Sequence, residues 1–323
     1  MVTAASSRRT NARLAGAGAG LLADKWLGEP PAPVHPVALF GKASARLERL
    51  VWADSRLRGA GFTVVAVGGP TAAAHFLGRG RGRASQFIAV TTATWSTSAG
   101  RMLGSTAMDI GRALDGGELA EARRLLPSLV GRDPTGLTEE EIARAVVESV
   151  AENTVDAVVA PALWAAVGGA SGAVAHRAVN TLDAMVGHRS ARHAQFGWAS
   201  ARLDDLAAWV PARLTAVLVA AVRPSQAREV WRCVRRQAPA HPSPNAGVAE
   251  AAFAAALGLT LGGTNRYGER VEHRALLGNG RAPDATDIAA AVRLSRDLSA
   301  LLGGALLVAA RLFRPRVRRL SMR

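Results

Sequence analysis

Four long stretches of the chain carry no Asp, Glu, Lys or Arg: residues 59–78, 84–100, 157–175 and 298–310. Crossing a bilayer core takes about 20 apolar residues in helical form, so the first and third runs are long enough and the other two are short. Residues 206–222 would join them but for Arg213, and residues 14–23 and 251–264 are marginal. The pattern predicts an all-α, polytopic helical membrane protein with about four to five spans and polar helical loops, organised as one membrane-embedded domain over residues 1–323.

The main polar segment is residues 101–153, read here as a polar helical loop. Thr138 followed three residues later by Glu141 is a capping box that opens a helix. Behind it Ile142, Ala143, Val146, Val147 and Val150 recur at helical spacing on one face, with Arg144, Glu148, Glu152 and Asp156 opposite.

Composition supports the membrane reading. Apolar residues make up 49% of the chain and aromatics only 5%, the balance being rich in Ala, Gly and Val, which lets helices approach closely. The alternating glycines of residues 15–20 follow no strand, so they are small residues at helix contacts rather than a dinucleotide fingerprint. A formal charge of +15 invites a nucleic-acid partner. However, the basic residues are nearly all arginines dispersed between apolar runs rather than gathered on one segment with stacking aromatics, so membrane lipid and anionic substrate account for the charge better than nucleic acid does, and no nucleic-acid partner is expected. The single cysteine, Cys233, rules out an internal disulfide and an all-cysteine metal site.

The chemistry-bearing residues gather around the apolar runs. Glu148, Glu152 and Asp156 stand at i, i+4 and i+8, which stacks three carboxylates along one helix line at the edge of the run that starts at residue 157. The solvated face of an amphipathic helix gives the same pattern, but like charges so close call for a shared cation or a basic partner, and ionisable groups at such a boundary tend to be functional. Asp204 and Asp205 form an adjacent pair of the kind that binds Mg²⁺, although a plain helix start gives the same pattern. Arg213 lies inside an apolar run, where it either snorkels or grips phosphate. Arg177, Asn180, Asp183, His188, Arg189 and Arg192 make a dense polar stretch, a site or a positive cytoplasmic loop, and His35 before Pro36 is a structural histidine, a ligand or a proton shuttle. No P-loop, His-Glu-x-x-His, Cys-x-x-Cys or Gly-x-Ser-x-Gly signature occurs.

Several of these stretches, in order, resemble one family. They are Asp24, Gly28-Glu29-Pro30 and His35-Pro36-Val37 near the start; residues 131–153; Ala160-Pro161; Arg177; Asn180-Thr181-Leu182-Asp183; Gly187-His188-Arg189; Phe196-Gly197; Asp204-Asp205; Pro211-Ala212-Arg213; Ser243-Pro244-Asn245 with Glu250; and residues 262–268. The chain is similar to the CobD/CbiB family, the adenosylcobinamide(-phosphate) synthases of cobalamin biosynthesis. It departs from the family's pattern at Ala208, where Asn is usual, and at Glu29, where Asp is commoner.

The resemblance implies a multi-pass inner-membrane ligase. It would join (R)-1-amino-2-propanol, or its O-phosphate, to adenosylcobyric acid, with ATP as co-substrate and Mg²⁺ as cofactor, beside other corrinoid-pathway enzymes. ATP use implies a cytoplasmic active site. On that reading Glu148, Glu152, Asp156 and Asp183 are the catalytic candidates and Asp204 and Asp205 the metal ligands. His35, Arg177, Asn180, Arg189, Arg213, Asn245 and Tyr267 are the substrate-binding candidates. Two rival readings fit the same residues. An ion-coupled membrane carrier would also bury carboxylates and an arginine but predicts a repeat, which the sequence lacks. A non-enzymatic scaffold for the pathway predicts silent carboxylate substitutions.

Overall fold

The computed structural model describes residues 4–79, 82–131, 133–188, 190, 192–267 and 270–313. Thirteen α-helices dominate the described residues: α1 (Ala4–Leu27), α2 (Pro36–Val51), α3 (Arg56–Leu77), α4 (Arg83–Thr97), α5 (Gly100–Asp115), α6 (Leu119–Leu125), α7 (Glu139–Thr154), α8 (Ala160–Gly168), α9 (Ala170–Leu182), α10 (Trp198–Val222), α11 (Ala227–Arg236), α12 (Ala246–Leu257) and α13 (Ala285–Leu312). The fold is helical as the apolar pattern predicts, with one addition. Strands β1 (Leu261–Tyr267) and β2 (Arg270–Leu277) pair antiparallel as a hairpin.

Among the described residues, three helical segments are long and apolar enough to cross a membrane: Arg56–Leu77, Glu139–Gly168 and Trp198–Val222. The sequence pattern led us to expect four or five, and the reasons for the difference are local. Residues 84–100 fold as α4, which is only 15 residues long. The run at 157–175 is not one span, because Gly169 (φ 69°, ψ −155°) turns the chain back between α8 and α9. Its first half instead continues α7, so part of the expected loop at 101–153 belongs to the 30-residue segment Glu139–Gly168. Residues 298–310 form the end of the 28-residue α13.

Exposed apolar side chains such as Leu57, Val64, Val65, Leu206, Trp209, Val210 and Val217 stud α3 and α10, as lipid-facing helices require. The buried core joins α5, α7, α12 and α13, and α12 is covered on every side from Ala246 to Ala256. The capping box forms as read, with Thr138 Oγ1 accepting from the Glu141 N–H and Glu141 accepting from the Thr138 N–H. The alternating glycines sit at helix crossings. A Cβ on Gly16 would stand 2.8 Å from the Cβ of Val90 and one on Gly20 2.5 Å from that of Thr94, both on α4, while Gly18 faces Gly303 on α13.

Candidate active site

Pro161 shapes the first wall of the site. Having no N–H, it cannot donate to the Ala157 carbonyl, which instead accepts the Ala99 N–H at 2.9 Å. Just before it the helix widens into a π-turn, Val155–Val159, which carries Asp156 in its first turn. A second π-turn, Asp183–Gly187, ends α9 and begins with Asp183. Such widened turns recur at functional sites, because the extra residue re-aims a side chain that an α-helix would align with its neighbours.

These two turns and the start of α10 converge. Glu152, Asp156, Asp183, Asp204 and Asp205 line one cavity of about 250 Å³, closed by Val155, Ala208, Ser243, Asn245 and Ala246. Asn180, one turn before Asp183, holds the centre: its Nδ2 donates to Asp156 Oδ2 at 3.1 Å and to Asp204 Oδ1 at 3.4 Å. Burial, with Asp205 and Glu152 nearby, pushes the Asp183 carboxyl up to about 6.

On one side of the cavity Arg213 stacks over the Trp209 ring at 4.5 Å and donates to Asn245 Oδ1 at 2.8 Å. Asn245 Nδ2 in turn donates to the Asp205 backbone carbonyl at 2.7 Å, which fixes the loop before α12 against the aspartate pair. Ser243 Oγ accepts from the Asn245 and Ala246 N–H groups and shapes that loop. On the other side Arg177 lies close enough to Asp156 and Glu29 to feel both charges. Glu29 Oε2 meets His35 Nε2 at 2.9 Å, and His35 Nδ1 accepts from the Val37 N–H as the cap of α2. His35 is thus a helix cap that also anchors Glu29.

Glu148 is placed elsewhere. Although one turn from Glu152, it is buried and accepts the Gly262 N–H of β1 at 2.8 Å. The carboxylate line read from i, i+4, i+8 spacing therefore divides: Glu152 and Asp156 open on the cavity, and Glu148 clasps the hairpin. Arg189 lies outside the described residues, and Tyr267 is described only as a strand position. Sequence reasoning passed over Ser243 and Glu29 as site residues, although Ser243-Pro244-Asn245 and Gly28-Glu29-Pro30 carried the signal.

The donor chemistry suits a hard cation. Five carboxylates face the cavity, whereas the cations beside it include Arg213, Arg177 and Arg202, the last 3.8 Å from Asp205. No three His, Cys, Asp or Glu side chains among the described residues converge as a ligand set, so an all-protein metal cage is not what the cavity offers. Magnesium ordinarily takes one or two carboxylates and completes its octahedron with water and substrate phosphate, which Asp204 and Asp205 fit.

The family model described as CobD/Cbib protein matches residues 17–295. The chain is 47% identical over 300 residues to the "Cobalamin biosynthesis protein CobD" of Mycobacterium tuberculosis, covering 92% of this chain and 95% of that one. It is 41% identical over 292 residues to the protein of the same name from Geobacter metallireducens, with 87% and 92% covered. The corresponding protein of Halalkalibacterium halodurans is 40% identical over 276 residues, with 82% and 86% covered. No solved structure matches.

Proposed function

The chain belongs to the CobD/CbiB family of cobalamin biosynthesis, and from that premise we propose that it ligates (R)-1-amino-2-propanol, or its O-phosphate, to adenosylcobyric acid in an ATP-dependent reaction. The observation that carries the reading is the acidic cavity in which Asn180 spans Asp156 and Asp204 while Asp183 and Asp205 complete the wall.

A carboxylate resists attack by an amine until it has a leaving group. Transfer of the terminal ATP phosphoryl group to the corrinoid carboxylate supplies one, with the bond to ADP broken and ADP released. The amine nitrogen then attacks the acyl carbon, the C–N bond forms, the C–O bond breaks, and inorganic phosphate departs. Amine and ammonium interconvert at the site, and Asp183, held near 6, is suited to take the ammonium proton close to neutrality. Mg²⁺ bound by Asp204 and Asp205 would neutralise the phosphate charge. Arg213 and Arg189 are the proposed anion clamps, and the Arg177 charge offsets those of Asp156 and Glu29. Glu152 and Asp156 supply the remaining negative potential that draws an ammonium into the cavity. ATP dependence puts the site on the cytoplasmic side of the inner membrane in this reading.

The test is mass-spectrometric product analysis with membranes carrying the chain, adenosylcobyric acid, ATP, Mg²⁺ and each amine in turn. The expected product is heavier by one amide-linked amine, and Asp204→Ala abolishes it. Membranes with verified folded protein that give no product with either amine would overturn the ligase reading in favour of a carrier or scaffold.

A further inference from the structure

A second cavity, of about 420 Å³, lies at the opposite end of α9 from the acidic site. It is enclosed by the end of α3 (His75, Gly78, Arg79), the α8–α9 turn, Arg9 and Arg13 of α1, and Gln86 of α4. We propose that this cavity binds a phosphate group, at the depth where membrane headgroups lie.

The electrostatics are one-signed. Arg9, Arg13 and Arg79 face the cavity, and no Asp or Glu lines it. Some arginines elsewhere are neutralised by carboxylates, as Arg124 is by Glu121, Arg223 by Asp297 and Arg281 by Asp287. Among the described residues none pairs with these three. Arg13 is half committed: one Nη donates to the Val167 carbonyl at 2.7 Å, while its Nε is buried and has no hydrogen-bond partner. A buried donor on a charged group costs stability unless something accepts from it.

The backbone adds to this. The 13-residue α9 starts on the cavity wall with no side chain capping it, so its first N–H groups and the positive end of its dipole are turned toward the same space. Gly169, at φ 69° and ψ −155°, adopts a backbone conformation open essentially to glycine alone, and any Cβ there would lie 3.4 Å from Arg13 Nε. Three guanidinium groups, a helix N-terminus and a cavity of headgroup size are together a phosphate receptor.

The location argues for the membrane boundary. Two apolar segments, Arg56–Leu77 and Glu139–Gly168, end at this cavity. Phe76, Leu77, Ile88 and Val167 stand exposed around it, where acyl chains would cover them. The rise of α9 separates the two cavities by roughly 20 Å, so a phosphate held here is distinct from one handled at the acidic site.

The test uses the full chain purified in neutral detergent. Phosphatidylglycerol, phosphatidylcholine and inorganic phosphate are titrated separately, with bound lipid read by native mass spectrometry and ligand stabilisation by thermal melting. Saturable binding of phosphatidylglycerol alone identifies a lipid headgroup as the source; inorganic phosphate binding equally well identifies a soluble phosphate. Arg13→Gln with Arg79→Gln should weaken binding about tenfold or more by removing two charge-assisted donors. Ser171→Asp should block the site and still fold, because a carboxylate in the first turn of α9 is favourable to the helix. Wild-type protein that binds none of these anions, or folded Ser171→Asp protein that binds them with undiminished affinity, would overturn the proposal.

Discussion

Arg213 donates to Asn245 Oδ1 at 2.8 Å, tying a guanidinium inside an apolar helix to the loop that closes the acidic cavity. The bond matters at both ends. Arg213 gains an acceptor it could not find in hydrocarbon, and Asn245 is oriented so that its Nδ2 reaches the Asp205 carbonyl.

Asn245→Ala removes both bonds at once. A hydrogen bond to a charged group contributes about 1.5–3 kcal/mol, so thermal stability in detergent should fall by a comparable amount. Turnover should fall more than stability does, because the wall carrying Asp204 and Asp205 loses its brace. Arg213→Lys keeps the charge but loses the stacked, two-acceptor geometry, and should give a smaller drop in the same direction. Unchanged kcat/KM in folded Asn245→Ala would remove the bracing role.

Gly187→Ala tests the position of one carboxylate without touching its chemistry. A Cβ on Gly187 would lie 1.8 Å from Asp183 Oδ1 and 2.8 Å from Asp183 Cγ, with the Ala201 Cβ at 3.4 Å. The clash falls on the movable end of a side chain, so the fold should survive while the Asp183 carboxylate is displaced by about 1 Å or more. Displacements of that size cost on the order of 100-fold in rate. Gly68→Ala, which meets open space, should leave activity unchanged.

The sequence made the helical class, the capping box and the packing role of residues 15–20 legible, because each depends on local periodicity or on side-chain size. It also named Glu152, Asp156, Asp183, Asn180, Asp204 and Asp205, which the fold brings to one cavity. Spacing could not report that the i, i+4, i+8 line divides. That division arises from a distant hairpin covering Glu148, a contact 114 positions away in the chain. Nor could it give the two π-turns, since π-turns depend on tertiary partners such as the Ala99 N–H that takes the carbonyl Pro161 leaves free. The apolar run at 157–175 read as one span because glycine is neutral on a hydropathy count, whereas Gly169 is the residue that reverses the chain.

Glu148 and Glu152 should therefore behave differently when each is neutralised. Glu148→Gln retains an oxygen that can accept from Gly262 but loses the charge that strengthens the bond, so melting temperature should fall while kcat changes less than about threefold. Glu152→Gln, on the cavity wall, should lower turnover with little change in melting temperature. The reverse pattern in activity and melting assays would return Glu148 to the catalytic set.

Asp24 gives the chain a pH dependence of predictable sign. It is 3% exposed; its Oδ2 accepts from the Gly100 and Arg101 N–H groups, and its Oδ1 has no hydrogen-bond partner. Burial, followed by the charge of Glu29, pushes it up to about 6 from an ordinary 3.8, outweighing the two backbone donors. Because the folded state holds the proton more tightly, the group favours folding below about pH 4, and that contribution is lost as pH rises toward and through 6. Fully ionised, the buried carboxylate weighs against the fold by about 3 kcal/mol. Asn at this position keeps an oxygen for both backbone N–H groups and has no charge to bury. Asp24→Asn should therefore be more stable than wild type at pH 8 and nearly equal to it at pH 4, with the gap opening between those values. The check is thermal melting of both proteins across that range. A gap that stays constant with pH would show that the Asp24 carboxylate does not titrate between the folded and unfolded chains as its burial requires.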